Sequence, residues 1–316
     1  MNASTEAAAT ADDDASLREE GRSRELVVPA ADSTELAATL FEPASPPAID
    51  AALVVIASAV GVRRQYYARF ATYLAGRGHF VLTFDYRGIG GSRHGSLVGS
   101  KVRMRDWCTL DVPGVLAWAQ RTHPSRPIHW VGHSMGGFAT GLAHNNHLVA
   151  RQLNVATLSG YWGRMAAPEK WRVRLLMGTL GPPVVWAKGY FPGVLMGGED
   201  MPGPAYLEWM RWCLTPGFLF DDDTLPEKRN FRELRAPMRF AQIADDPWGT
   251  EAAVGHMASH FTGSTDRSMW RITPKEAGVK AIGHFGFFRA EMRDTLWQPA
   301  ADWLLGKANG ANGVRP

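Results

Sequence analysis

A chain of 316 residues with 45% apolar and 21% charged side chains can bury a large core around a single sheet without metals or crosslinks. Net charge is only +3, with no run of Lys or Arg, so neither nucleic acid nor an anionic lipid surface is the expected partner. The two cysteines, Cys108 and Cys213, lack any spacing typical of zinc sites and are expected as free thiols in a reducing compartment.

The first 25 residues carry neither a basic nor an apolar leader segment, and no apolar stretch approaches the roughly 20 residues that cross a bilayer. A cytoplasmic location is expected. Residues 1–22, dominated by Ala, Thr, Asp and Glu, read as a disordered tail because so few apolar side chains cannot offset the entropy of ordering. A flexible C-terminal tail is expected over 307–316.

Arg24 to Pro29 and Ser33 to Phe41, separated by Ala30-Ala31-Asp32, suggest an antiparallel hairpin at a sheet edge. The run from Ala51 to Ala57 is continuously apolar and rich in β-branched residues, as in a parallel strand covered on both faces. Tyr66, Phe70 and Leu74 recur every four positions, and Gly76 and Gly78 end that helix before a strand over His79 to Phe84. Trp107, Leu110, Gly114 and Trp118 predict a second helix, made less regular by Pro113, and the strand Ile128 to Val131 follows a turn with Pro124 and Pro127. Strands over Leu153 to Leu158, Met238 to Ile243 and Ser268 to Ile272 continue the alternation, which closes on a helix bearing Trp297, Ala301 and Leu304. Alternating β and α segments predict an α/β fold with a mostly parallel sheet flanked by helices.

Residues 161–232 break the alternation. No strand pattern occurs there, and five of the twelve tryptophans (Trp162, Trp171, Trp186, Trp209 and Trp212) are interspersed with methionines. This segment is expected to be an inserted, mainly helical cap over the C-terminal edge of the sheet, leaving 23–160 and 233–306 as the core.

The strand at Ile128 to Val131 runs into Gly132-His133-Ser134-Met135-Gly136-Gly137 and then a helix-compatible stretch. Strand, sharp turn and helix in that order make a nucleophile elbow, whose small residues admit a strained turn that presents Ser134. The alternative is a Gly-rich turn with an ordinary serine. A serine hydroxyl needs a base, and the base needs an orienting carboxylate. The strand at Met238 to Ile243 ends in Ala244-Asp245-Asp246-Pro247-Trp248, so acidic residues stand at the same lip of the sheet.

With these motifs on one chain, the sequence resembles the α/β-hydrolase superfamily. The resemblance covers roughly 24–160 and 233–306, and is nearest to the bacterial serine hydrolases grouped with serine aminopeptidases and monoacylglycerol-lipase-like proteins. It implies Asp246, aligned on the Asp-Pro step, as the acid in preference to Asp245, although Ile243 stands where the family's acid loop has glycine. It implies His284, in Ile282-Gly283-His284-Phe285-Gly286, as the base. His256 and His260, four apart on a surface helix, are weaker candidates, and they lack the glutamate and third ligand of a zinc helix. The oxyanion donors would be the backbone N–H groups of Met135 and of Val60, the latter in Ser58-Ala59-Val60-Gly61 where many relatives have His-Gly. Phe84-Asp85-Tyr86-Arg87-Gly88-Ile89-Gly90-Gly91-Ser92 resembles a structural turn of the superfamily, and Arg93 stands where a dinucleotide loop would need its third glycine.

The expected activity is hydrolysis of a carboxylic ester through an acyl-enzyme, with a small-molecule ester as partner and neither cofactor nor metal. Trp162, Trp248 and Phe285 are the candidate walls of the substrate pocket. Amide or peptide cleavage and acyl transfer use the same three residues, and a silent binding protein on this fold is a further alternative. The sequence leaves the oligomeric state open.

Overall fold

The computed structural model describes residues 22–44, 46–47 and 50–306. The two tails expected at 1–22 and 307–316 therefore lie outside the described residues, apart from Arg22, which opens the first strand.

Eight strands form one sheet. In chain order they are β1 (Arg22–Pro29), β2 (Glu35–Glu42), β3 (Leu53–Ala57), β4 (Phe80–Phe84), β5 (Ile128–His133) and β6 (Val149–Val155), then β9 (Met238–Ile243) and β10 (Arg267–Ile272), the intervening β7 (Tyr190–Phe191) and β8 (Met201–Pro202) forming a separate ribbon. The spatial order is β1-β2-β4-β3-β5-β6-β9-β10. Within this sheet of the described residues only the β1–β2 and β2–β4 pairings are antiparallel, which confirms the edge hairpin and the mostly parallel sheet.

The helices are α1 (Ala68–Ala75), α2 (Val112–Thr122), α3 (Met135–Leu142), α4 (Glu169–Leu175), α5 (Gly181–Lys188), α6 (Gly203–Leu214), α7 (Glu251–His260) and α8 (Gln298–Leu304). Alternation along β3 explains why a central strand must be apolar throughout. Leu53, Val55 and Ala57 face the core built with α2 and α3, whereas Val54 and Ile56 face the core built with Phe70 and Leu74 of α1 and with Trp297, Ala301 and Leu304 of α8.

Three expectations need correction. The strand predicted over Leu153 to Leu158 runs instead from Val149 to Val155 and stops at Ala156, whose φ is +49°; an apolar run does not separate a strand from the buried loop that continues it. The segment 161–232 is mainly helical but also contains the β7–β8 ribbon, whose two-residue strands are too short to leave a periodic signal. The helix around Trp107 is preceded by a turn at Met104–Asp106 and widens to a π turn over Trp107–Asp111 before α2. Pro113, which lacks the N–H an interior helical residue donates, sits in the first turn of α2.

The Asp85-to-Ser92 turn is structural, as expected. The Asp85 carboxylate accepts from the Arg64 and Gly91 N–H groups and pairs with the Arg64 guanidinium, while Ser92 donates to the Asp85 carbonyl and accepts from the Ala37 N–H. Arg87 reaches both Asp32 and the fully buried Asp111, tying the turn to the edge hairpin and to the Trp107 segment.

Candidate active site

Register brings the loops of the site together. Ala57 of β3 pairs with Gly132 of β5, His133 with Val155 of β6, and Val155 with Ala241 of β9, so these strands end at one lip. Open α/β sheets bind ligands at that lip.

Ser134 stands between β5 and α3 with φ 52° and ψ −114°, a conformation that is strained for a residue with a side chain. Its flanking glycines are sterically required. A Cβ on Gly132 would lie 2.2 Å from the Gly137 Cα, and one on Gly136 would lie 2.2 Å from the Ala57 carbonyl oxygen. The turn is pinned by the Ser134 N–H on the Val155 carbonyl at 2.9 Å and by the Trp130 indole N–H on the Gly136 carbonyl at 2.8 Å.

The two adjacent aspartates divide the labour between them. Asp246 Oδ2 lies 2.6 Å from His284 Nδ1, and its Oδ1 accepts the Trp248 N–H at 2.9 Å. Burial alone would raise this carboxyl, but the His284 charge and hydrogen bond, helped by the Trp248 and Gly249 N–H groups, hold it below its ordinary value. Asp245 instead accepts the N–H groups of Ile282 and Gly283, at 2.9 and 3.1 Å, and so fixes the backbone that carries His284. Gly283 takes φ +60° there. Gly249 makes room for the acid, since a Cβ on it would sit 2.5 Å from Asp246 Oδ2.

Ser134, Met135, Val60, His284, Trp248 and Phe285 line one cavity. Among the described residues, neither the Val60 nor the Met135 N–H meets an acceptor. The Trp248 ring lies 4.6 Å from His284 and Phe285 5.0 Å from it, so both cover the histidine. Trp162 is not brought to this cavity. It packs 5.3 Å from Trp171 and under the Arg174 guanidinium, both within the insertion.

Sequence reasoning missed several contributors. Trp248 donates its indole N–H to Glu169 of α4 at 2.6 Å, joining the acid loop to the insertion. Leu158, read as the end of a strand, and Gly160 line the cavity, as do Met165, Met177 and Met196 from the insertion. His256 and His260 are not at the site: His260 stacks on Phe220 with ring centroids 3.3 Å apart. Among the described residues no group of acidic, Cys or His side chains is arranged to hold a metal, and no helix is long and apolar enough to cross a membrane.

A mostly parallel sheet that presents a strained serine on a strand-to-helix turn, with an Asp–His pair on loops at the same lip, is the arrangement that α/β-type serine hydrolases use. Residues 48–191 match the family model described as serine aminopeptidase, S33. Solved structures agree in fold: an esterase from Pyrococcus furiosus (14% identity over 92% of this chain and 93% of that one, TM-score 0.57) and a soluble variant of monoglyceride lipase from Saccharomyces cerevisiae (12%, 88% and 96%, TM-score 0.63). A third is Est1E from Butyrivibrio proteoclasticus, solved with ferulic acid (14%, 89% and 98%, TM-score 0.59). No curated protein sequence matches the chain. The chain thus has the fold of these hydrolases, and its residues 48–191 are similar to the serine aminopeptidase family model.

Proposed function

We propose that the protein hydrolyses carboxylic esters of apolar acyl groups through an acyl-enzyme on Ser134. The observation that carries this reading is the 2.6 Å Asp246–His284 pair, whose histidine lines the same cavity as the strained Ser134. With Nδ1 donating to Asp246, His284 keeps the Nε2 lone pair for the serine proton. Ser134 Oγ attacks the ester carbonyl as His284 takes its proton, and the carbonyl electrons move to an oxyanion held by the Met135 and Val60 N–H groups. Collapse expels the alkoxide, which leaves as the alcohol with the proton from His284. Water, deprotonated by His284, then attacks the acyl-enzyme; its collapse frees the carboxylic acid and returns the proton to Ser134.

Met165, Met177, Met196, Phe191 and Trp209 support an apolar acyl group, since thioethers and aromatic rings make an adaptable apolar wall. Residues 161–232 act as the cap that supplies this wall, over a core of 23–160 and 233–306. The two buried free thiols fit a reducing, cytoplasmic setting.

Amide cleavage is the second reading, favoured by the match to the serine aminopeptidase model. A substrate with a free amino terminus needs an available carboxylate. Glu199, which alone among the lining residues carries one, is paired with Arg63 at 2.7 Å, and this favours the ester. The test is turnover of p-nitrophenyl esters from acetate to palmitate, beside aminoacyl p-nitroanilides, by the wild type and Ser134→Ala. Ser134-dependent ester turnover that favours chains longer than acetate is expected; turnover of the anilides alone would replace this reading with the peptidase.

A further inference from the structure

His133, the second residue of the elbow, takes no part in the chemistry proposed above, yet it is fully buried between two loops that do. Its Nδ1 lies 2.8 Å from the Tyr67 hydroxyl, and its Nε2 lies 2.9 Å from the backbone carbonyl of His284. The same Tyr67 hydroxyl accepts the Ala59 N–H at 2.9 Å, one residue before the proposed oxyanion donor Val60.

We propose that Tyr67 and His133 are positioning residues for the reaction, a buried two-side-chain relay that holds the oxyanion loop at a set distance from the base loop. The inference rests on the ester-hydrolase reading above, because it assigns these residues through Val60 and His284.

The His284 carbonyl sets the proton arrangement. A carbonyl only accepts, so His133 Nε2 must carry the hydrogen that goes to His284 O. The Tyr67 hydroxyl accepts from Ala59 and spends its own hydrogen on Nδ1, which must then be bare. The chain therefore runs Ala59 N–H to Tyr67 O–H to His133 N–H to His284 carbonyl, with every donor used and His133 neutral. Burial, reinforced by the His284 charge, keeps His133 in that form by lowering it to about 3. A protonated His133 would turn Nδ1 into a donor and deprive the tyrosine hydrogen of its acceptor.

Packing restricts the relay to this geometry. Phe288 lies 4.8 Å from the Tyr67 ring and 5.1 Å from His133, and the neighbouring Tyr66 hydroxyl donates to the Phe285 carbonyl at 2.5 Å. The two tyrosines thus tie one turn before α1 to the elbow, to the oxyanion loop and to the base loop. A shift of the oxyanion donors by about 1 Å is enough to cost roughly a hundredfold in rate, so a relay that sets this spacing acts on kcat.

The test compares Tyr67→Phe, His133→Gln and the double variant with the wild type on a p-nitrophenyl ester, and measures inhibition by a trifluoromethyl ketone, which forms a tetrahedral adduct, and by the product acid, which does not. Wild-type turnover that depends on Ser134 is the precondition; its absence would count against the ester-hydrolase reading and not against the relay. Given that turnover, Tyr67→Phe is expected to lower kcat roughly tenfold to a hundredfold with KM within about twofold. Affinity for the ketone should fall in step while affinity for the acid is unchanged, and the double variant should lose little more than the worse single one. Loss of thermal stability with kcat and ketone affinity retained would overturn the proposal and leave the pair as packing. Should either variant fail to fold, imidazole nitrogen NMR of the unmodified protein decides: a neutral His133 with hydrogen on Nε2, invariant from pH 5 to 9, supports the relay, and hydrogen on Nδ1 or titration within that range overturns it.

Discussion

Asp245 and Asp246 are neighbours in the chain that hold one loop by different means: Asp245 accepts the Ile282 and Gly283 backbone N–H groups, and Asp246 accepts from the His284 imidazole at 2.6 Å. Backbone position and ring orientation of His284 are thus set separately. Asp246→Asn removes the charge and disturbs the tautomer, so kcat should fall about 10³- to 10⁴-fold in a folded protein. Asp245→Asn keeps the ring partner and should cost roughly tenfold. Steady-state kinetics of the two variants, with circular dichroism for folding, would refute this division of roles if the order of the losses were reversed.

The elbow admits little substitution. Gly136→Ala drives a Cβ to 2.2 Å from the Ala57 carbonyl, and both partners are backbone that cannot rotate away. A loss of roughly 3 kcal/mol or more is expected, together with turnover. Urea unfolding would show it, and an unchanged midpoint would mean that the turn is looser than described.

Arg87 and Asp111 form a buried ion pair, with Arg87 Nε 2.6 Å from Asp111 Oδ1 and the aspartate wholly enclosed. Arg87→Ala strands that carboxylate and should destabilise by about 3–5 kcal/mol. Adding Asp111→Leu should recover much of the loss, because an uncompensated buried charge is the larger part of it. A double variant no more stable than Arg87→Ala would assign the loss to packing instead.

Stability should decline on mild acidification. Burial first, with nearby positive charge, lowers His129 and His260 to about 4 and His133 to about 3, against 6.5 in the unfolded chain. Above 6.5 both states are neutral and nothing changes. As the pH falls below 6.5 the unfolded chain takes up protons that the folded one refuses, so stability falls, and the fall ends once the folded histidines protonate near 4 and 3. Asp246, held below 3.8, adds stability that is lost only at lower pH still. Melting temperatures from pH 7.5 to 4.5 should drop steadily; a flat profile would contradict buried neutral histidines.

The features legible in the sequence are those written in short contiguous signals. The Gly132–Gly136 elbow, the acidic turn after β9 and the Gly-His loop each declare themselves within about five residues, and register then brings them to one lip. What stayed hidden depends on packing between distant segments. The resemblance ranks Asp246 above Asp245, but only the backbone shows that Asp246 faces the ring while Asp245 holds the loop. Trp162 has the composition of a pocket wall, but its partners Trp171 and Arg174 hold it elsewhere. Tyr67 and His133, 66 positions apart, have no local pattern to connect them, and the β7–β8 ribbon is too short for any periodicity.

The central claim is that Ser134 is an activated nucleophile, and the most direct measurement is intact-protein and peptide mass spectrometry after exposure to a fluorophosphonate. One phosphonyl adduct per chain on Ser134 is predicted, absent in Ser134→Ala and formed far more slowly in His284→Gln. A folded wild-type protein that remains unlabelled, or that carries the adduct on another residue, would contradict the account.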